Sequence, residues 1–240
     1  MGNAILDIII LLILSIIANS NFYAPYVSLE VYYAISICLK LVYIVFLYFY
    51  IHKYHTYFLE YNRPRKRWLW LLPLLLLPFS NIIVGIASGT YLSLATSSAF
   101  YVVFLAIIEQ LLIVIVEELI FRVIFFNYMK HVMTLPQAIL LSALLFGLTH
   151  LFNLEMGNLP AVLLQVVYSF VLGIILALIL HFTHNIVVPI VFHFLFNVIN
   201  GLIVYLLFAL EYGVIYFVVN IGIGVLSLLY SFFLYRRFLE

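Results

Sequence analysis

Long runs of apolar residues, interrupted by short polar stretches, follow one another along the whole chain. A membrane core of about 30 Å is crossed by roughly 20 apolar residues in a helix, and eight windows of the sequence approach that length. They lie near residues 4–19, 28–51, 68–87, 97–119, 135–152, 159–181, 186–209 and 212–235. This pattern predicts an all-α fold, a polytopic membrane helix bundle of about eight transmembrane helices.

The composition fits a protein dissolved in a bilayer and removes one class of function. Hydrophobic side chains make up 68% of the 240 residues and charged ones only 8%, whereas soluble domains carry about 25% charged residues. The net charge of +1 offers no basic surface to a nucleic acid, so we expect none as a partner. The sequence shows no internal repeat or linker, and we interpret residues 1–240 as a single membrane domain.

The loop 52–67, between the second and third windows, carries most of the positive charge of the chain. It contains Lys53, Arg63, Arg65, Lys66, Arg67 and one acid, Glu60. Loops rich in Lys and Arg stay in the cytoplasm, so this loop is expected to be cytoplasmic. With eight alternating spans, both termini lie on that same side, and the protein is a multi-pass protein of the cell membrane.

The fourth window holds several ionisable residues, each of which costs at least about 2.5–3.5 kcal/mol at the centre of a membrane helix. Glu118 and Arg122 are four residues apart, so they share one helical face and can neutralise each other. Glu117 is rotated by about 100° from Glu118 and has no such partner on its own helix. It is the carboxylate left available. Lys40, in the second window, can snorkel to the membrane interface or pair with Asp7 or with Glu109, and the sequence does not choose among them.

Three further polar residues can meet Glu117. If windows four and five form a hairpin that turns near Met133, Glu117 and His150 lie 16 and 17 residues from the turn, at nearly equal depth. His193 and Asn197, in the seventh window, are four apart and therefore on one face. Taken singly, Glu117 could be a structural carboxyl, each histidine could hydrogen-bond across helices, and Asn197 could be an interhelical amide. Together, they predict a site.

The motifs that carry these residues resemble the signatures of a known family. Residues 117–122 read Glu-Glu-Leu-Ile-Phe-Arg, and they are followed by Phe146-x-x-x-His150 and His193-x-x-x-Asn197. In this order they are similar to the three signatures of the CPBP family. That family comprises the type II CAAX prenyl proteases together with bacteriocin-processing and immunity (Abi) proteins. The resemblance covers about residues 100–200, and the first 95 residues match it only in being hydrophobic.

The resemblance implies an intramembrane endopeptidase of the CAAX protease type. It makes Glu117 the general base and gives His150 a share in activating the water. It implies that His193 and Asn197 bind the developing oxyanion and that Glu118 and Arg122 are supporting residues. Peptide hydrolysis requires these parts, since a positioned base and preorganised donors are what acyl transfer to water needs.

The resemblance leaves two possibilities for the cofactor, no metal or zinc. The family is often described as metallopeptidase, and Glu117, His150 and His193 could supply three zinc ligands with an open fourth position. The sequence contains no H-E-x-x-H helix, however, and the related CAAX protease fold suggests a direct glutamate mechanism. We therefore favour a mechanism without a metal, with zinc as the alternative.

Two other functions use the same residues. The first is a non-catalytic immunity or scaffold protein that binds a peptide in the same cavity. The second is a secondary transporter in which buried Glu and His relay protons, although transporters commonly show repeats and this chain shows none. For the peptidase, the expected partners are the lipid bilayer and a peptide or membrane-protein substrate. The sequence leaves open whether that substrate is lipidated.

Overall fold

The computed structural model describes residues 2–19, 24–54, 66–89, 100–155, 159–208 and 213–239, and every regular element in these ranges is helical. The α-helices are α1 (Gly2–Asn19), α2 (Leu29–Tyr54), α3 (Ser80–Ser88), α4 (Phe100–Glu118), α5 (Asn127–Val132), α6 (Leu135–Thr149), α7 (Leu159–Thr183), α8 (Val187–Leu195), α9 (Val204–Leu207) and α10 (Val214–Leu239). Tighter 3₁₀ segments lie at Ala24–Tyr26, Lys66–Phe79 and His150–Glu155. Wider π-helical segments lie at Leu119–Phe126 and Phe196–Ile203.

Six of these helical stretches are long and apolar enough to cross a membrane. They are Leu29–Lys53, Leu69–Ser88, Phe100–Val132, Leu135–Leu154, Val162–Thr183 and Val214–Arg237. The seventh window is a shorter apolar helix, Val187–Ile203, and the first window is the 18-residue α1. The predicted all-α polytopic membrane bundle is confirmed, and all eight windows contain helix.

Helix α4 runs through the π segment into α5 without a break, and the chain then reverses into α6. Met133 is extended, with φ −148° and ψ 173°, and Thr134 caps α6. The Thr134 N–H and hydroxyl both donate to Gln137 Oε1, at 3.1 and 2.9 Å, while Pro136 occupies the first turn. These features stop one helix and start the next, and the predicted hairpin turns at the predicted residue.

Helices α6 and α7 pack very closely because glycines lie between them. A Cβ added to Gly173 would lie 2.9 Å from Ala143 Cα, and one added to Gly147 would lie 2.9 Å from the Val166 carbonyl oxygen. Small residues at such crossings let membrane helices approach to backbone contact, where dispersion forces hold them together. Since His150 directly follows α6, this contact also fixes the position of that histidine.

The chain reverses again between α7 and α8, through a turn that begins at His184. His184 adopts a left-handed conformation with φ 51°, which ends α7. Asn185 Oδ1 then accepts the Val187 N–H at 2.9 Å, at the first residue of α8. An Asn side chain commonly caps its own turn in this way. This turn directs α8, with His193, back across the bundle beside α4.

A buried ion pair connects α2 to α4. Lys40 Nζ lies 3.3 Å from Glu109 Oε1, and Ser36 bridges them by accepting from Lys40 at 2.5 Å and donating to the same carboxylate. Tyr32 adds a third contact to Glu109 Oε1, at 3.3 Å. Of the two partners considered for Lys40, the structure therefore gives Glu109. The Asp7 side chain and most of the basic loop 52–67 lie outside the described residues.

Candidate active site

The four predicted site residues line one cavity of about 1350 Å³. They come from three helical stretches. Glu117 lies near the end of α4 and His150 directly after α6, while His193 lies in α8 and Asn197 in the π segment that continues it. A site on three packed helices is held more precisely than one on loops.

Neighbouring glutamates at the end of α4 have different surroundings. Glu117 lines the cavity, whereas Glu118 and Arg122 are completely buried behind it. Arg122 Nε lies 3.1 Å from Glu118 Oε2, so the two charges offset each other. The helical rotation of about 100° between adjacent residues explains why one glutamate faces the cavity and the other faces the protein.

His193 lies between these two carboxylates. Its Nδ1 is 2.9 Å from Glu118 Oε1, and its Nε2 is 3.7 Å from Glu117 Oε2. Because an ionised carboxylate only accepts, the bond to Glu118 places a proton on Nδ1. Nε2 then faces the cavity side, towards Glu117. Glu118 therefore contacts both Arg122 and His193, which the spacing of residues within one helix does not reveal.

The position of the ring proton of His150 follows from a backbone contact. Its Nδ1 lies 2.9 Å from the carbonyl oxygen of Phe146, one helical turn earlier. A carbonyl oxygen can only accept, so Nδ1 carries the proton. In the neutral ring Nε2 then holds a lone pair, and His150 can accept a proton or coordinate a metal through that atom.

The ring of Phe146 lies at the centre of this arrangement and is fully buried. It makes edge contacts with the rings of His150 and His193, at centroid distances of 5.1 and 5.5 Å. The Arg122 guanidinium carbon lies 4.5 Å from its centroid. Within the described residues the guanidinium makes an ion pair with Glu118 but no well-aligned hydrogen bond, so the negative face of this ring contributes to holding the charge. Phe146 thus touches three of the polar side chains.

Asn197 is oriented by a residue of α4. Its Nδ2 donates to Gln110 Oε1 at 3.3 Å, and both side chains line the cavity. Asn200, three residues further along the same segment, lines the cavity as well. The sequence shows Gln110 as a polar residue in a membrane span, but nothing in the spacing gives it a role. The feature of the sequence that could have pointed to Asn200 as a site residue is its separation of three residues from Asn197.

The zinc alternative requires Glu117, His150 and His193 to converge on one ion. Within the described ranges, no group of three or more His, Cys, Asp or Glu side chains is arranged to hold a metal. With the proton of His193 on Nδ1, towards Glu118, the neutral ring keeps a lone pair on Nε2, which lies 3.7 Å from Glu117 Oε2. The mechanism proposed below routes no step through a metal.

Comparison with known proteins gives one match. Residues 98–199 match a family model described as Type II CAAX prenyl endopeptidase Rce1-like. No curated protein and no solved structure matches the chain. The matched segment begins just before α4 and ends after Asn197, so it contains the four predicted site residues and both supporting ones. The resemblance indicated by the three motifs is thereby confirmed. Residues 98–199 are therefore similar to the Rce1-like type II CAAX prenyl endopeptidases.

Proposed function

We propose that the protein hydrolyses a peptide bond in an apolar peptide or membrane-protein segment, with Glu117 activating the water. The observation that carries this proposal is the convergence of Glu117, His150, His193 and Asn197 on one cavity. A carboxylate, a basic ring nitrogen and amide and imidazole donors are the parts that peptide hydrolysis needs. A protease family supplies the same expectation for the matched segment.

The first step is deprotonation of a water molecule beside Glu117. The Glu117 carboxylate takes the proton, and His150 Nε2 accepts the water's other hydrogen bond. The water oxygen attacks the scissile carbonyl carbon, a C–O bond forms, and the carbonyl electron pair moves to its oxygen. Positioned bases of this kind contribute about 10²–10⁴-fold to rate.

The second requirement is a pair of donors for the new oxyanion. Asn197 provides one donor through Nδ2. The other hydrogen on that nitrogen donates to Gln110 Oε1, with 3.3 Å between nitrogen and oxygen. His193 provides the other donor through Nε2. Since Nδ1 already donates to Glu118 at 2.9 Å, donation from Nε2 uses the doubly protonated ring. Glu117, Glu118, Arg122 and this imidazolium then sum to zero charge, which suits a site inside the membrane.

The third step is collapse of the tetrahedral intermediate. The oxyanion pair re-forms the carbonyl, the C–N bond breaks, and Glu117 returns its proton to the departing amine. The carboxylate is thereby regenerated for the next cycle. One side chain serves as base and then as acid, so each cycle consumes only the peptide and one water molecule.

The test uses detergent-purified protein and two sets of fluorogenic peptides. One set is apolar and unmodified, and the other carries a C-terminal prenylated CAAX sequence. We expect cleavage by the wild type and a loss of at least about 10²-fold in Glu117→Gln, which keeps the side-chain shape but takes no proton. The thermal unfolding midpoint of Glu117→Gln should stay close to that of the wild type.

Binding separates the peptidase from a peptide-binding immunity or scaffold protein. Glu117→Gln should still bind the peptide that the wild type cleaves. Binding without cleavage by the wild type, for every peptide of both sets, would favour the non-catalytic protein. Full cleavage by Glu117→Gln would remove the glutamate mechanism.

A further inference from the structure

Three helical stretches meet at the far wall of the cavity, where amide side chains hold one another. The Asn81 backbone N–H donates to Asn200 Oδ1 at 2.8 Å, and Asn81 Nδ2 donates to the Asn200 carbonyl oxygen at 3.0 Å. Asn220, from α10, donates through Nδ2 to Asn81 Oδ1 at 2.9 Å. Ser80 lies 2.8 Å from Asn220 Oδ1 and completes the group. We call Ser80, Asn81, Asn200 and Asn220 the amide clasp.

The clasp fixes which way the Asn200 amide points. A backbone N–H can only donate, so the atom facing Asn81 is the oxygen of Asn200 and not its nitrogen. Asn200 Nδ2, on the other branch of the same planar amide, must then point away from the Asn81 N–H. It finds no partner among the described residues, and the side chain lines the cavity.

Two amide donors, three residues apart on one π-helical segment, therefore line the cavity. Asn197 is held by Gln110, and Asn200 is held by the clasp. Their side chains are neutral, so they attract polar groups without needing a charge on the ligand. The wall continues beyond the residues that act on the scissile bond, in the direction of α3 and α10.

An extended peptide entering this cavity brings its own polar groups. A substrate segment must leave its helix to be cut, which exposes backbone N–H and C=O groups in surroundings where an unpaired one costs several kcal/mol. A peptide carbonyl accepts from an amide NH₂ with ordinary geometry. Asn200 Nδ2 offers such a donor to a residue beside the scissile bond.

We propose that Asn200 is a substrate-binding residue whose amide NH₂ donates to a backbone carbonyl next to the scissile bond. This assignment rests on the proposed peptidase function and deepens it. The subsite formed by Asn200 therefore recognises the extended backbone of the peptide. It contacts neither a side chain nor a lipid of the substrate.

The test compares Asn200→Ala with Asn81→Ala, using the fluorogenic peptide that the wild type cleaves. Both variants loosen the amide clasp. Only Asn200→Ala removes the cavity-facing NH₂, because in Asn81→Ala the backbone N–H of residue 81 still holds Asn200 Oδ1. Loss of one neutral hydrogen bond should raise KM about threefold to tenfold in Asn200→Ala, with kcat nearly unchanged and Asn81→Ala near the wild type.

A thioamide scan of the same peptide identifies the carbonyl involved. Sulfur accepts weakly, so one replacement beside the scissile bond should raise KM for the wild type and have no further effect on Asn200→Ala. If Asn200→Ala does not fold, Asn200→Asp keeps an oxygen for the Asn81 N–H, loses the NH₂ and should show the same rise.

The outcomes distinguish two failures. Cleavage with equal KM values for wild type, Asn200→Ala and Asn200→Asp would overturn the subsite and leave the peptidase intact. Equal KM shifts in Asn81→Ala and Asn200→Ala would make Asn200 purely structural. A wild type that cleaves none of the peptides would overturn the proposed function and, with it, this assignment.

Discussion

Glu118 Oε1 lies 2.9 Å from His193 Nδ1, so the fully buried glutamate of the adjacent pair holds the imidazole that faces the cavity. The same carboxylate lies 3.1 Å from Arg122 Nε through its other oxygen. One side chain therefore connects an arginine on its own helical stretch with a histidine from α8. Glu118 is a positioning residue under the proposed mechanism, because it acts through His193.

Glu118→Gln should lower kcat and leave KM nearly unchanged. Gln keeps an oxygen for His193 Nδ1 but removes the negative charge beside the ring and beside Arg122. Hydrogen bonds to charged groups contribute about 1.5–3 kcal/mol, which corresponds to roughly 10- to 100-fold in rate if the charged ring acts only in the transition state. Steady-state kinetics per folded molecule measure the effect. Equal kcat values for variant and wild type would remove Glu118 from the mechanism.

Arg122→Ala should be strongly destabilising, because it leaves the Glu118 carboxylate buried without its cation. Breaking a buried ion pair on one side costs about 3–5 kcal/mol. Thermal unfolding in detergent and folded yield measure the loss. Lys130→Ala is the control, since Lys130 lies over the Phe126 ring at 4.9 Å and is only partly buried. A normal unfolding midpoint for Arg122→Ala would contradict the pairing.

Asn197→Ala should reduce kcat by about 10²–10³-fold, the usual cost of losing one oxyanion donor. The matched control is Asn127→Ala, because Asn127 is a buried asparagine whose Nδ2 donates to the Val123 carbonyl at 3.1 Å and which does not line the cavity. That variant should lose stability and keep its rate per folded molecule. Similar rates for the two variants would show that Asn197 donates nothing to the reaction.

Removal of metal ions should leave peptide cleavage intact. A glutamate mechanism predicts full activity after exhaustive chelation and no stoichiometric zinc by elemental analysis. A zinc enzyme behaves differently, since chelation abolishes its activity, added zinc restores it, and replacing a ligand lowers the bound metal. His150→Ala and His193→Ala are the informative variants for metal content. Activity that disappears and returns with zinc would replace the mechanism but keep the peptidase.

The basic loop 52–67 should lie in the cytoplasm. Cys38 is the single cysteine and its side chain is exposed, so the assay starts from Cys38→Ser with a new cysteine at Asn62. A membrane-impermeant thiol reagent should label this protein in lysed cells and not in intact ones. Ready labelling in intact cells would reverse the orientation of the whole bundle.

Much of this fold follows from elementary features of the sequence. Apolar length predicts the helices, and counting from Met133 places Glu117 and His150 at matching depth, since an α-helix rises about 1.5 Å per residue. The rotation between consecutive residues separates Glu117 from Glu118 in the same way. These inferences succeed because each depends on the geometry of one helix or one hairpin.

Other features of the site depend on how separate helices rotate against one another. The contact between Glu118 and His193 joins residues 75 positions apart, and the clasp joins Asn81 to Asn220 across 139 positions. No periodicity within a single helix encodes such contacts. Phe146 is a similar case, because a phenylalanine in a membrane span is usually packing, and its part in holding two histidines appears only when the rings are in place.

Two of the three helical stretches that carry site residues widen into π-helix next to them, at Leu119–Phe126 and at Phe196–Ile203. A π turn holds one residue more than the α turn it replaces. If residues 119–126 rewound as α-helix with no residue removed, the surplus residue would enter the regular winding, turn everything beyond it by about 100° and shift it by about 1.5 Å. The hairpin with α6 would swing with it, and His150 would leave the cavity. The alignment of the two halves of the site is thus stored as one surplus residue held in a π turn.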